Sequence, residues 1–565
     1  MPMTALRLRP WQRAAFDRFV ALDDHTPNFL AVATPGAGKT TFALACARWA
    51  LAQQRRRLVV VAPTSHLKIQ WSLAAHRLGL QLDPEWTPGG GVAKDVHGIV
   101  TTYQQVATGQ TANVLKGVCH DAFVILDELH HAGDDKAWGD AVRLAFSTAH
   151  RRLCLSGTPF RSDTASIPFV RYDDGQAFAD YEYGYGDALR DGGVVRPVYF
   201  PRVDGNMEWS APDGAVLSAS FQDELARDGM SQRLRAALSL DGEWLPHVLE
   251  QGHERLMYLR DSHPDAGGLV IAMDQEHAQG IARLIRTRFG VSAEVVISDD
   301  PGASKKITAF AHSDAPWLVS VRMVSEGVDI PRLRVGVYAS TVSTELFFRQ
   351  AVGRFVRWQS GRPSQKAFVY LPDDVRLRTH AFQIMESRRH VLRRFEPGDE
   401  LMESGIAERD APLDEIPDDL GGPEQLSLFS VLSAVATGIR IHAMTPSGVA
   451  IPFEFGEDEA DSAEPQLGLG TDELLELHLP EIPTDAGWGP DSGRSVFEIK
   501  DELRERNANL AKRLVDLTGW GHARVNGEMN RLANVIAVSS ATTDQLERRL
   551  RKSEDWLAQL RKRRA

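Results

Sequence analysis

The stretch FLAVATPGAGKTTFALACARWA, Phe29 to Ala50, decides how the rest of this chain is read. It opens on a short apolar run, FLAVA, which does not alternate. Such a run suits a parallel strand buried on both faces. It closes on a helical run, TFALACARWA. Between them lies TPGAGKT, with Gly36 and Gly38 followed by Lys39 and Thr40. A strand, a glycine-rich loop and a helix, in that order, let backbone N–H groups converge on phosphate oxygens at a helix N-terminus. Pro35, Gly36, Ala37, Gly38, Lys39 and Thr40 are therefore the candidate phosphate-binding residues. Lys39 is expected to reach the β- and γ-phosphates, and Thr40 to hold Mg2+. The loop departs once from the longer G-x-x-x-x-G-K-[ST] pattern; the form present is G-x-G-K-T.

Working outward, the runs LVVVA, GIVTT, FVILD and LCLSG repeat the same buried-strand signal, with helical stretches between them. This predicts a doubly wound α/β domain over residues 1–200. LVIAM, EVVIS, WLVSV, VGVYA and FVYLP predict a second one over 265–395. Residues 201–264 are expected to be a helical connector. Residues 396–470, rich in Asp, Glu, Pro and Gly, are expected to be an acidic linker. Residues 471–565 are expected to be a helical C-terminal domain, with capping boxes at Ser495/Glu498 and Thr542/Gln545. The fold class is α/β: two tandem doubly wound parallel-sheet domains followed by a helical region.

FVILDELHH adds chemistry, because its strand ends in Asp127 and Glu128. Ligands of parallel α/β sheets bind beyond the carboxyl ends of the strands. Asp127 is expected to hold Mg2+ through water, and Glu128 to orient and deprotonate an attacking water. In FRQAVGRFVRW, Gln350, Gly353, Arg354 and Arg357 fall at i, i+3, i+4 and i+7, one face of a helix. They suit a charge-stabilising finger on a transferring phosphoryl group.

Bulk properties set limits. The chain has 565 residues, is 43% hydrophobic and carries a formal net charge of -12. No apolar run approaches the roughly 18 residues that a membrane span needs. Three scattered cysteines, Cys46, Cys119 and Cys154, suit a reducing, cytoplasmic setting and form no zinc pattern. The acidity is local: between Glu396 and Asp491 there are 23 acidic residues against two basic ones, Arg409 and Arg440. Removing that −21 from −12 leaves +9 on the remainder, which permits a polyanionic partner.

The motifs in their order resemble superfamily 2 helicases and translocases of the DExH-box kind, with RecA-like domains. LRPWQ resembles the adenine-reading Gln motif, with Gln12 as reader. ATPGAGKT resembles motif I, APTSHLKIQW motif Ia, DELH motif II and SGTP motif III. LVIAMDQEHA resembles motif IV, SEGVDIP motif V and QAVGRFVR motif VI. The resemblance implies ATP and Mg2+ as cofactors. It implies that His130, Ser156 and Thr158 couple the nucleotide site to a nucleic-acid track. Gly327 and Asp329 would act at the domain interface, and a strand would run near Thr64, Thr102 and Thr341. SGTP and LRPWQ look closer to DNA-acting branches, so DNA is the expected partner, in repair, replication or mobile-element biology. A double-strand translocase that never unwinds, and a nucleotide-gated adaptor that only recruits partners, are the alternatives.

Two further stretches carry expectations. PDSGRSVFEIK imitates a nuclease site through Asp491, Glu498 and Lys500, but a Ser495–Glu498 capping box favours a helix there. QLSLF, with Gln425, Leu426, Leu428 and Phe429, resembles a bacterial sliding-clamp-binding motif at the end of an acidic leash. The competing reading makes it the start of a buried segment.

Overall fold

The computed structural model describes residues 6–23, 26–53, 57–89, 91–133, 136–157, 167–173, 176–211, 214–297, 300, 302–321, 330–362, 365–393, 430–440, 474–479 and 494–564. Two compact units emerge. One comprises Met1–Val32, Gly38–Glu182 and Glu473–Ala565; the other comprises Ala33–Ala37 and Tyr183–Asp472.

The first unit is built on a seven-stranded sheet in the order Tyr181–Tyr183, Asn28–Ala33, Arg151–Ser156, Phe123–Leu126, Leu58–Ala62, Gly98–Thr102, Leu82–Asp83. The pairs from Asn28–Ala33 through Leu82–Asp83 are parallel. Its unalternated strands are buried on both faces, Leu58 to Ala62 completely. The Ala-rich helix Lys39–Ala52 is apolar nearly all round and buries eight residues, as expected of a helix enclosed by a core.

The chain returns to this unit at its end. Leu475–Leu477 pairs antiparallel with Leu6–Leu8. The helices Val496–Thr518, His522–Ala533 and Thr543–Arg564 then form a bundle cored by Leu503, Leu510, Leu514, Met529, Leu546 and Leu550. Inside it Arg549, 1% exposed, donates to the side-chain oxygens of Asn507, Asn526 and Asn530 at 2.8, 2.7 and 2.7 Å. One residue thus ties all three helices. The bundle sits on residues 81–95: Val496 N–H donates to Gln81 Oε1 at 3.1 Å, Lys500 Nζ to Asp95 Oδ1 at 2.6 Å, and Thr543 N–H to Asp95 Oδ2 at 2.8 Å.

The second unit has a nine-stranded sheet whose path runs Val216–Ser220, Arg202–Ser210, Ala367–Pro372, Leu333–Ala339, Gly267–Ala272, Trp317–Val321, Ala293–Val296. Val198–Tyr199 pairs with Ala367–Pro372, and Ser430–Arg440 pairs antiparallel with Arg202–Ser210. Three domain expectations need correcting. Residues 201–264 are not a purely helical connector. They open with the hairpin Arg202–Ser210 and Val216–Ser220, followed by the helices Arg227–Ala237 and Trp244–Ser262. Met207 and Trp209 point into the core while Asn206 does not, a period of two that Arg202, Asp204 and Gly205 obscure. The stretch 396–470 likewise contains the strand Ser430–Arg440, and 471–565 contains a strand before its helices.

Candidate functional site

Gly36 and Gly38 hold φ of 84° and 93°, a left-handed conformation that glycine adopts without strain. Gly38 caps the helix Lys39–Ala52, whose first N–H groups therefore face the loop. Gln12 is buried, accepts from Arg9 N–H at 2.8 Å and donates Nε2 to Gly38 O at 2.9 Å. A Cβ on Gly38 would come within 2.6 Å of Gln12 Nε2, so the position needs glycine for space as well as conformation. Gln12 thus braces the phosphate loop from below.

Asp127 and Glu128 follow the buried strand Phe123–Leu126 at its carboxyl end. Asp127 is fixed at three points. Its N–H donates to Val61 O at 2.9 Å, its carbonyl accepts from Tyr103 Oη at 2.9 Å, and Oδ2 accepts from Trp71 Nε1 at 2.8 Å. Glu128 sits at φ 47°, which costs a non-glycine residue of order 1–3 kcal/mol. That turn aims its carboxylate at Lys39 Nζ, 3.2 Å from Oε1, and at Gly157 N–H, 2.9 Å from Oε2. His130 Nδ1 stands 3.7 Å from Oε2. The two acids are driven apart. Burial and the charge of Glu128 push the Asp127 carboxyl up to about 6, against the pull of Trp71 and Lys39. Burial also works to raise Glu128, but Lys39, His130 and the Gly157 N–H outweigh it and hold that carboxyl at about 2.

Other anticipated residues divide. Ser156 ends its strand fully buried. Thr64 caps the helix Ser65–Arg77, and Thr102 caps Tyr103–Ala107 with its hydroxyl accepting from Gln105 N–H at 3.1 Å. Thr341 lies between the strand Leu333–Ala339 and the helix Glu345–Val352. Gln350 is on that helix, but the single helical face drawn for Gln350, Gly353, Arg354 and Arg357 is wrong. The helix stops at Val352 with Gly353 as its cap, and Arg357 instead forms a β-bridge with Val195. Phe355 and Val356 force the break, since both are buried and Phe355 packs on Gly336. Within the second unit, which includes Ala33–Ala37, a Cβ on Gly36 would meet Arg357 Cδ at 3.3 Å. Thr158, Gly327, Asp329, Asp491 and the QLSLF residues Gln425, Leu426, Leu428 and Phe429 lie outside the described residues. The other nuclease candidates are occupied structurally: Glu498 closes the capping box with Ser495, and Lys500 is buried against Asp95.

Trp71, Tyr103 and Gly157 are site residues that were not singled out. Trp71 and Gly157 fall inside quoted motifs and Tyr103 directly follows the run GIVTT, yet their partners lie far along the chain. As to a metal, among the described residues neither Asp127 Oδ1 nor the Thr40 hydroxyl is engaged in a side-chain hydrogen bond. Two hard oxygens beside a phosphate loop fit a Mg2+ ion that takes its remaining ligands from water and phosphate. Among the described residues no three His, Cys, Asp or Glu are grouped to hold a metal, and no helix is long and apolar enough to cross a membrane.

A parallel sheet carrying a phosphate loop, an acidic strand end and a bracing glutamine defines a class, and this chain is a superfamily 2 helicase-type protein with RecA-like folding. Residues 5–161 match the family described as "Type III restriction enzyme, res subunit". More particularly, the chain belongs to one family with two uncharacterized mycobacterial proteins. It is 39% identical to that of Mycobacterium tuberculosis over 96% of this chain and 92% of the relative. To that of Mycobacterium leprae it is 38% identical, over 96% and 93%. Among solved structures, the ATP-dependent Type ISP restriction-modification enzyme LlaBIII bound to DNA is similar at 16% identity and a TM-score of 0.45, covering 69% of this chain and 30% of that one. This chain therefore spans less than a third of that protein.

Proposed function

We propose that the protein is an ATP- and Mg2+-dependent motor that moves along or unwinds DNA. The observation that carries this is the contact set of Glu128: an ionised carboxylate held between Lys39 and the Gly157 N–H beside the phosphate loop. In this reading the phosphates of ATP take Lys39 from Glu128. Freed of that partner, Glu128 accepts the proton of the attacking water while Gly157 fixes its orientation. Thr40 and Asp127 Oδ1 would hold Mg2+, which neutralises developing phosphoryl charge when bound. Arg354 and Arg357 would stabilise transition-state charge, and Thr64, Thr102 and Thr341 would line the DNA track. DNA is chosen over RNA because the match to a restriction-enzyme family supports it, as do SGTP and LRPWQ. On its sequence alone, QLSLF would hold a sliding clamp; failure of a Gly421–Val431 peptide to bind one removes that part.

The test measures three quantities on one preparation: ATP turnover with DNA and with RNA, strand separation, and triplex displacement. DNA should stimulate turnover, and the stimulation should fall as salt rises, since the track would hold phosphates. Stimulation by RNA alone overturns the choice of DNA. Triplex displacement without strand separation identifies a double-strand translocase. Turnover indifferent to nucleic acid identifies an adaptor.

A further inference from the structure

Trp71 is a buried group in the site that the proposed chemistry leaves unused. It sits in the middle of the helix Ser65–Arg77, 2% exposed, and its indole N–H meets Asp127 Oδ2 at 2.8 Å. A buried indole usually finds some acceptor, so the plain explanation is that Asp127 merely satisfies Trp71. The bond also acts on the carboxylate, because it selects one of the two Asp127 oxygens.

Asp127 has two oxygens with different fates: Oδ2 is bound by Trp71, while among the described residues no hydrogen bond reaches Oδ1. The backbone is held by Val61 and Tyr103, so the remaining freedom is rotation within the side chain. The Trp71 N–H stops that rotation and fixes which oxygen faces the loop. The helix carrying Trp71 is itself pinned, because Ser72 Oγ donates to Leu82 O at 2.9 Å and His76 Nδ1 lies 3.1 Å from Gln81 Nε2. A donor on a rigid element is the arrangement that orients a ligand carboxylate precisely enough for a metal.

We propose that Trp71 is a positioning residue that presents Asp127 Oδ1 to the Mg2+ of a bound magnesium nucleotide. The inference rests on the nucleotide-hydrolysing reading above. Loss of an outer-shell partner of this kind costs about 10–100-fold in metal affinity. Trp71→Phe keeps an aromatic ring at the position and removes the donor.

The experiment follows anisotropy of N-methylanthraniloyl-ADP on the full chain, first in EDTA and then with rising Mg2+. In wild type, Mg2+ should tighten binding. In Trp71→Phe, binding in EDTA should stay within about twofold of wild type, because Lys39 and the loop are intact, while half-saturating Mg2+ rises about 10–100-fold. An unchanged Mg2+ response in the variant overturns the proposal. So does loss of binding in EDTA as well, which would make Trp71 a packing residue only. Wild type that binds no nucleotide in either condition overturns the nucleotide reading itself, and the inference with it, so the two failures are told apart by the wild-type arm.

Discussion

Lys39 Nζ and Glu128 Oε1 stand 3.2 Å apart, and the lysine's charge helps to hold the carboxyl low. Removing them should therefore have different consequences. Lys39→Ala takes away a phosphate contact and also the cation that holds Glu128 low, so nucleotide affinity should fall in an equilibrium titration. Glu128→Gln keeps the shape and the loop but removes the proton acceptor. It should bind nucleotide normally while turnover drops by about 10²–10⁴. Normal turnover in Glu128→Gln would show that another group activates the water. Much of this site was legible in the sequence, because GAGKT and DELH are local patterns whose spacing encodes their geometry. Trp71 was not, since a tryptophan at a helical core position looks like packing until the partner of its one polar atom is known. That partner lies 56 residues away.

Elements follow the same division. Strands that are apolar from end to end announce themselves, as LVVVA does. The hairpin Arg202–Ser210 and Val216–Ser220 does not, because Arg202 and Asp204 are buried on the face opposite Met207 and Trp209, and Gly205 stands where the period calls for an apolar side chain. The arginine-bearing stretch after Val352 keeps helical spacing on paper, but burial of Phe355 and Val356 overrides it. The edge of the first sheet offers a prediction at this scale. His97 Nδ1 accepts from Gln81 N–H at 2.8 Å. Burial, with the nearby charge of Arg48, pulls its pKa down to about 4. Between pH 6.5 and 4 the unfolded chain takes up a proton here that the folded chain refuses. Stability should thus fall as pH falls through that window, by at most about 3 kcal/mol, and change no further from this group below it. Denaturant unfolding at pH 7.5, 5.5 and 4.5 should show a shallower acid loss in His97→Asn than in wild type. Equal slopes would mean that His97 protonates as freely folded as unfolded.

At the scale of the whole molecule, the first unit is discontinuous: the chain leaves it after Glu182 and re-enters near Glu473 to finish it. The C-terminal helices were legible from their capping boxes, but their seat was not, because it depends on single polar contacts across more than 400 positions. Asp95 is the centre of that seat. Its two oxygens take Lys500 Nζ at 2.6 Å and the Thr543 N–H at 2.8 Å, so one carboxylate fixes the first and last helices of the bundle. Lys500 has a side chain only 2% exposed. Asp95→Ala would leave that ammonium buried without its carboxylate, and breaking a buried pair from one side costs about 3–5 kcal/mol. The cost should appear where the contacts are. The bundle has its own core, and Arg549 with its three asparagines lies inside it, away from Asp95. Asp95→Ala should therefore release the bundle as a folded body rather than melt it. In hydrogen exchange, amides at residues 81–97 and in the first turns of Val496–Thr518 and Thr543–Arg564 should lose protection. Those of Phe123–Leu126 and of the bundle interior should keep it. Asp95→Asn should lie between, since an amide oxygen still accepts from Lys500 without neutralising it. Uniform loss of protection through the unit would mean that the returning helices are part of one cooperative core and that Asp95 only decorates its surface.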